Sequence, residues 1–142
     1  MALLRGLLVC SVLLLSCMCK QALGSRAVTG LGLLGGRENA SPEEPGVRSA
    51  LQFALNEYNR GSNDMYASRV SEVVEAQKQI VSGIKYYLTV KIGRTVCRKG
   101  ASDLENCAFH NTPKLAQIMT CTFEVYNIPW RNIISLEKSS CT

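Results

Sequence analysis

Side chains able to do chemistry are few in this 142-residue chain: seven cysteines, one histidine, and carboxylates dispersed among basic residues. Cys10, Cys17 and Cys19 fall in an apolar leading stretch, whereas Cys97, Cys107, Cys121 and Cys141 lie in the body of the chain. A Cys–His nucleophile needs a free thiol. A serine triad needs a histidine oriented by an acid and a recognisable nucleophile motif. His110 stands in a cysteine-bounded stretch with neither. Four thiolates can hold zinc, but zinc sites usually present CxxC pairs and none is present. P-loop, GxGxxG and HExxH patterns are absent as well. Carboxylate pairs for glycoside cleavage leave no signature in a sequence, since any two acids can meet in space. The inventory argues against an enzyme, and no cofactor or metal is expected.

Two disulfides are the better use of four cysteines, with three connectivities open. Pairing nearest neighbours would close loops of ten and twenty residues, each contributing about 3 kcal/mol in the chain-entropy model. Disulfides require an oxidising compartment, and residues 1–24 supply the route. Arg5 precedes an apolar run over residues 7–15, and the small residues Ala22 and Gly24 follow at cleavage positions. This is the layout of a secretory signal, and its apolar core is too short to span a bilayer. A membrane anchor is the weaker reading. The mature chain is expected to be secreted and extracellular, as a single domain over residues 25–142.

A chain of that length buries roughly two-thirds of its unfolded surface. Removing Arg5 and Lys20 lowers the formal charge of +5 by two. The remaining bases mix with acids and form no stripe with aromatic partners, so no nucleic-acid partner is expected.

The elements that must position everything else are legible from periodicity. Residues 25–39 are rich in glycine, with Leu31, Leu33 and Leu34 between them and no regular period, and read as a mobile arm. Three leucines in such a tail invite a partner. Val47, Ala50, Leu51, Ala54, Leu55 and Tyr58 recur at helical spacing, with Glu43 and Glu44 before them, Ser41 as a candidate cap, and Gly61 as a stop. Ile84, Tyr86, Leu88, Val90 and Ile92 alternate with polar residues, as a half-buried strand requires. An earlier strand is expected over residues 70–78, two later ones over about 114–126 and 132–138, with a looser stretch over 98–113. One helix followed by four antiparallel strands is an α+β domain with the sheet wrapped on the helix.

This arrangement puts apolar residues where water is expected. Val81 falls in the first hairpin tip, and Trp130 follows a proline in the second. Hairpins of one sheet can bring alternate tips to the same edge, and the leucine-bearing arm can reach it. Apolar groups gathered at an exposed end suggest a binding surface.

The same residues resemble those of the type 2 cystatins. The arm ends Leu33-Leu34-Gly35-Gly36; the helix carries Asn56-Glu57-Tyr58-Asn59 and is followed by Ser62-Asn63-Asp64-Met65-Tyr66. Gln79-Ile80-Val81-Ser82-Gly83, Gly93-Arg94-Thr95, Pro129-Trp130 and the cysteine spacing complete the likeness across the mature chain. The resemblance implies nearest-neighbour disulfides and reversible, competitive inhibition of papain-like cysteine peptidases such as lysosomal cathepsins. It implies a wedge: Leu33 and Leu34 in non-primed subsites, Gly35 as pivot, Gln79, Ile80, Val81, Ser82 and Gly83 astride the catalytic cysteine, Pro129 and Trp130 on the primed side. It also implies a second site at Asn63 for the asparagine-specific peptidase legumain, and a mainly monomeric protein in which a domain-swapped dimer can form with Val81 at the hinge. Ser82 stands where the family has a small residue, and Gly32 stands where a basic residue would precede the two leucines. Asn39-Ala40-Ser41 is a glycosylation sequon, made less favourable by Pro42. The competing reading is a cystatin-fold binding or signalling module without peptidase inhibition. Loss of the arm glycine, the central pentapeptide or the Pro-Trp pair would favour it, and all three are present.

Overall fold

The computed structural model describes residues 35–142. Its one long helix, α1 (Pro45–Gly61), buries Val47, Ala50, Ala54 and Leu55, the apolar stripe that the spacing predicts. Pro45 opens it at a position where the missing N–H has no helical partner to lose. The start differs from expectation. Ser41 makes no cap to the helix; its hydroxyl accepts from the Glu43 amide at 3.3 Å in the preceding turn. Glu44 occupies the cap position without a side-chain cap bond and directs its carboxylate to Lys78, 3.1 Å away. Gly61 is the last helical residue, and the chain leaves through the extended Ser62, whose amide still bonds the Tyr58 carbonyl.

Five antiparallel strands form one sheet in sequence order: β1 (Arg37–Asn39), β2 (Tyr66–Val81), β3 (Gly83–Arg98), β4 (Ile118–Ile128) and β5 (Ile133–Cys141). On β3, Tyr86, Leu88, Val90 and Ile92 are buried, and on β4 Cys121, Phe123 and Val125 join them. These residues and the helix stripe make the core. Tyr58 meets Phe123 edge to face at 6.5 Å between ring centres. β2 is longer than residues 70–78, and bulges at three places interrupt its pairing with β3. Each bulge bends the strand and shifts its alternation, which blurs the period of two in the sequence.

β1 corrects the reading of residues 25–39 as arm throughout. Arg37, Glu38 and Asn39 pair with Gln79, Lys78 and Gln77 of β2, so the chain joins the sheet two residues after Gly35. The strand expected from about residue 114 begins at Ile118, since Leu115 and Ala116 bond back to Thr112 in a turn.

Cys97 is bonded to Cys107 and Cys121 to Cys141. The second disulfide links residues already opposite one another on β4 and β5. The first ties the end of β3 to the loop after it, which Arg69 also holds by donating to the Cys107 carbonyl at 2.6 Å and covering the Phe109 ring.

Candidate functional site

Strand register brings three parts of the chain to one edge. Val81 pairs with Gly83, leaving Ser82 alone at the first tip. Ile84 pairs with Asn127, and Ile128 with Ile133, so the second tip lies beside the first. Arg37 opposite Gln79 brings the start of β1 to the same end. Leu33 and Leu34, the expected subsite residues, lie outside the described residues; Gly35 is within them.

Side chains fasten the three parts together. The hydroxyl of Tyr126 on β4 donates to the Ser82 carbonyl. The Gln79 amide donates to the Gly35 carbonyl and accepts from the Tyr87 hydroxyl at 2.7 Å. Gly83 has φ +127°, and a Cβ there would stand 2.7 Å from the Asn127 carbonyl oxygen. Only glycine suits both that backbone and the close approach of the second hairpin. Gly35 also holds a positive φ, +85°, with open space around it.

The edge is apolar and exposed. Trp130 is 70% exposed, Ile80 56% and Val81 44%, with Ser82 and Pro129 also open to solvent. Pro129–Arg131 form a short 3₁₀ turn, closed by Asn132 in the left-handed region at φ 51°. Gln79 is half-buried and Gly83 buried, so these two build the edge while Ile80, Val81 and Trp130 present it. Sequence reasoning missed Ile133, an exposed apolar residue directly after the second tip, and the bracing by Tyr126 and Tyr87. Ile133 was findable as an apolar residue beside a turn; the bracing bonds depend on cross-strand register.

Lys85 beside the tips is paired with acids. The Lys85 ammonium lies 3.0 Å from Glu137 and 3.3 Å from Glu124. The hydrogen bond to Glu137, then that to Glu124, outweighs desolvation and raises the lysine pKa. No cysteine at this edge is free: all four described cysteines are disulfide-bonded. Among the described residues no group of three or more side chains could hold a metal ion. The edge offers a partner an exposed apolar surface.

Asn63 lies at the opposite end of β2, in the exposed turn after α1. Its neighbours hold that turn from both sides. Ser62 Oγ accepts from the Asp64 amide at 3.0 Å, and Lys99 donates to the Ser62 carbonyl. Asp64 accepts from the Tyr66 amide at 3.0 Å and from Arg94 Nε at 2.6 Å. Desolvation pushes the Asp64 pKa up, but these hydrogen bonds and the Arg94 charge bring it below its ordinary value. The turn borders an open groove lined in part by Tyr58, Met65, Arg94 and Met119.

One helix held in an antiparallel sheet, with an exposed apolar edge formed by two hairpin tips and the start of β1, is a cystatin-like scaffold. The chain belongs to the cystatin family, whose Cystatin domain matches residues 35–130. It is 85% identical to Cystatin-2 of Crotalus adamanteus over 142 residues, covering 100% of both chains. It is 46% identical to Cystatin-C of Homo sapiens over 135 residues, covering 95% of this chain and 92% of that one. Dimeric human cystatin F has a similar structure, with a TM-score of 0.70, 33% identity, and coverage of 87% of this chain and 95% of that one. Cystatins inhibit cysteine peptidases, and the chain is classed accordingly as an inhibitor and not an enzyme.

Proposed function

We propose that the protein is a secreted, reversible, tight-binding competitive inhibitor of papain-like cysteine peptidases, lysosomal cathepsins among them. The observation that carries this reading is the convergence of Gly35, the Val81–Gly83 tip and Pro129-Trp130 on one exposed apolar edge. In this account Leu33 and Leu34 enter substrate-like subsites, with Gly35 as the pivot. Gln79, Ile80, Val81, Ser82 and Gly83 straddle the catalytic cysteine, and Pro129 and Trp130 brace the other side. Such a wedge covers the nucleophile without offering it a well-placed carbonyl, so binding need not lead to cleavage. Tips already held by strand pairing and by the bond from Tyr126 to Ser82 lose little entropy on docking, which favours affinity.

Secretion follows in this reading from cleavage of the leader after Gly24, leaving one domain over residues 25–142. The two disulfides support passage through an oxidising compartment. The protein is taken as mainly monomeric, with exchange of the first hairpin as the route to a dimer.

The exposed Asn63 turn supports a second inhibitory site, directed at legumain. It lies beyond the end of the 16-residue β2 that is furthest from the first tip, which would let the two sites act separately. Titrating papain and legumain with the wild type and with Asn63→Lys tests both readings. Loss of legumain inhibition alone is expected; loss of neither or of both contradicts the two-site account.

A further inference from the structure

We infer that Tyr87 is a positioning residue for the pivot: it holds Gly35 in place at the start of the described chain. The inference rests on the wedge reading for its functional meaning and on the geometry of this chain for its mechanism. Gly35 lies outside the β1 ladder, which begins at Arg37, so the ladder leaves its carbonyl without a strand partner. That carbonyl can only accept, and it therefore selects the Nε2 end of the Gln79 amide. The Oε1 end then needs a donor, which the Tyr87 hydroxyl supplies at 2.7 Å. One polarity runs through the chain of bonds, from Tyr87 O–H through Gln79 to the Gly35 carbonyl.

The same aromatic ring holds the other side of the pivot. The Arg37 guanidinium lies over the Tyr87 ring, 3.5 Å from its centre, in the range of a cation–π contact. A single half-buried side chain on β3 thus fixes Arg37 directly and Gly35 through Gln79. Gly35 sits at φ +85° with no atom within 4 Å of a Cβ built on it, so packing does not hold the pivot and these bonds do. Without the hydroxyl, the Gln79 amide is free to turn, and Gly35 loses its hold before the protein meets a peptidase. The cost of ordering it then falls on binding.

Tyr87→Phe removes the hydroxyl and keeps the ring under Arg37. Backbone ¹⁵N relaxation of the free, oxidised protein is expected to show lower order at Gly35 and Gly36, with Ser82 unchanged. Unchanged order at Gly35 and Gly36 overturns the inference whatever the peptidase does. Against a papain-like peptidase, Tyr87→Phe should weaken inhibition about fivefold, the worth of one net hydrogen bond. The loss should disappear in a protein truncated through Leu34. Equal weakening of full-length and truncated proteins overturns the inference, because Tyr87 would then act on the tips. If truncation alone leaves inhibition unchanged, the arm's part in the wedge fails, while the relaxation result still decides whether Tyr87 positions the pivot.

Discussion

The hydroxyl of Tyr126 on β4 donates to the carbonyl of Ser82 at the tip of the first hairpin. The bond crosses between hairpins that the β3–β4 ladder already sets side by side, and it holds a backbone group at the most exposed part of the edge. Tyr126→Phe should leave the fold intact and weaken peptidase inhibition by about 1 kcal/mol, or roughly fivefold. Paired thermal melts and inhibition titrations separate the two effects. A large fall in Tm with unchanged inhibition would show that the bond serves the sheet and not the edge.

Gly83 is under two constraints: a φ of +127°, and an Asn127 carbonyl oxygen only 2.7 Å from where a Cβ would stand. Gly83→Ala should destabilise the protein by about 1–3 kcal/mol and push the two tips apart. Urea unfolding should show a lower midpoint with the same m-value. An unchanged midpoint would mean that the tips relax at no cost.

Trp130 has the reverse profile. At 70% exposure it adds little to folding, yet an aromatic anchor buried in a partner is worth about 2–4 kcal/mol on truncation. Trp130→Ala should keep its Tm within a degree or two and lose that much affinity for papain. Unchanged affinity would remove Trp130 from the docking surface.

Three carboxylates link stability to pH, the first being Glu43, its pKa lowered by the hydrogen bond from the Ser41 hydroxyl. Glu44 is held below its ordinary pKa by the hydrogen bond from Lys78. For Asp64, desolvation raises the pKa but the Tyr66 amide and Arg94 together lower it further. A carboxylate with a depressed folded-state pKa stabilises the fold above its unfolded value and loses that contribution as pH falls through the folded one. Stability should therefore decline below about pH 4, where ordinary carboxylates protonate. Asp64→Asn should make the decline shallower, as read by urea midpoints across the acid range. An unaltered acid limb would show that Asp64 contributes nothing to it.

Much of this was legible in the sequence, and the rest fails for definite reasons. Val47, Ala50, Ala54 and Leu55 mark α1 because a helix repeats its buried face every three to four residues. Tyr86 to Ile92 mark β3 because only alternate residues meet the core. Arg37, Glu38 and Asn39 of β1 carry no apolar alternation, and their pairing with β2 is made by backbone groups that every sequence shares. A period of two is legible from Tyr66 on, but the bulges in β2 shift it, so the strand itself reads only over residues 70–78. Val81, Pro129 and Trp130 were visible as apolar residues in turns. The bonds of Gln79 to Gly35 and of Tyr126 to Ser82 span 44 residues each, and only the folded register reveals them.

The most direct test of the central claim is a titration of papain with the oxidised, monomeric protein, followed by analysis of the recovered inhibitor. The account predicts loss of activity at one inhibitor per enzyme, reversal on dilution, and an intact Val81–Ser82 bond. Full papain activity in excess inhibitor, or progressive cleavage at Val81–Ser82, would contradict it.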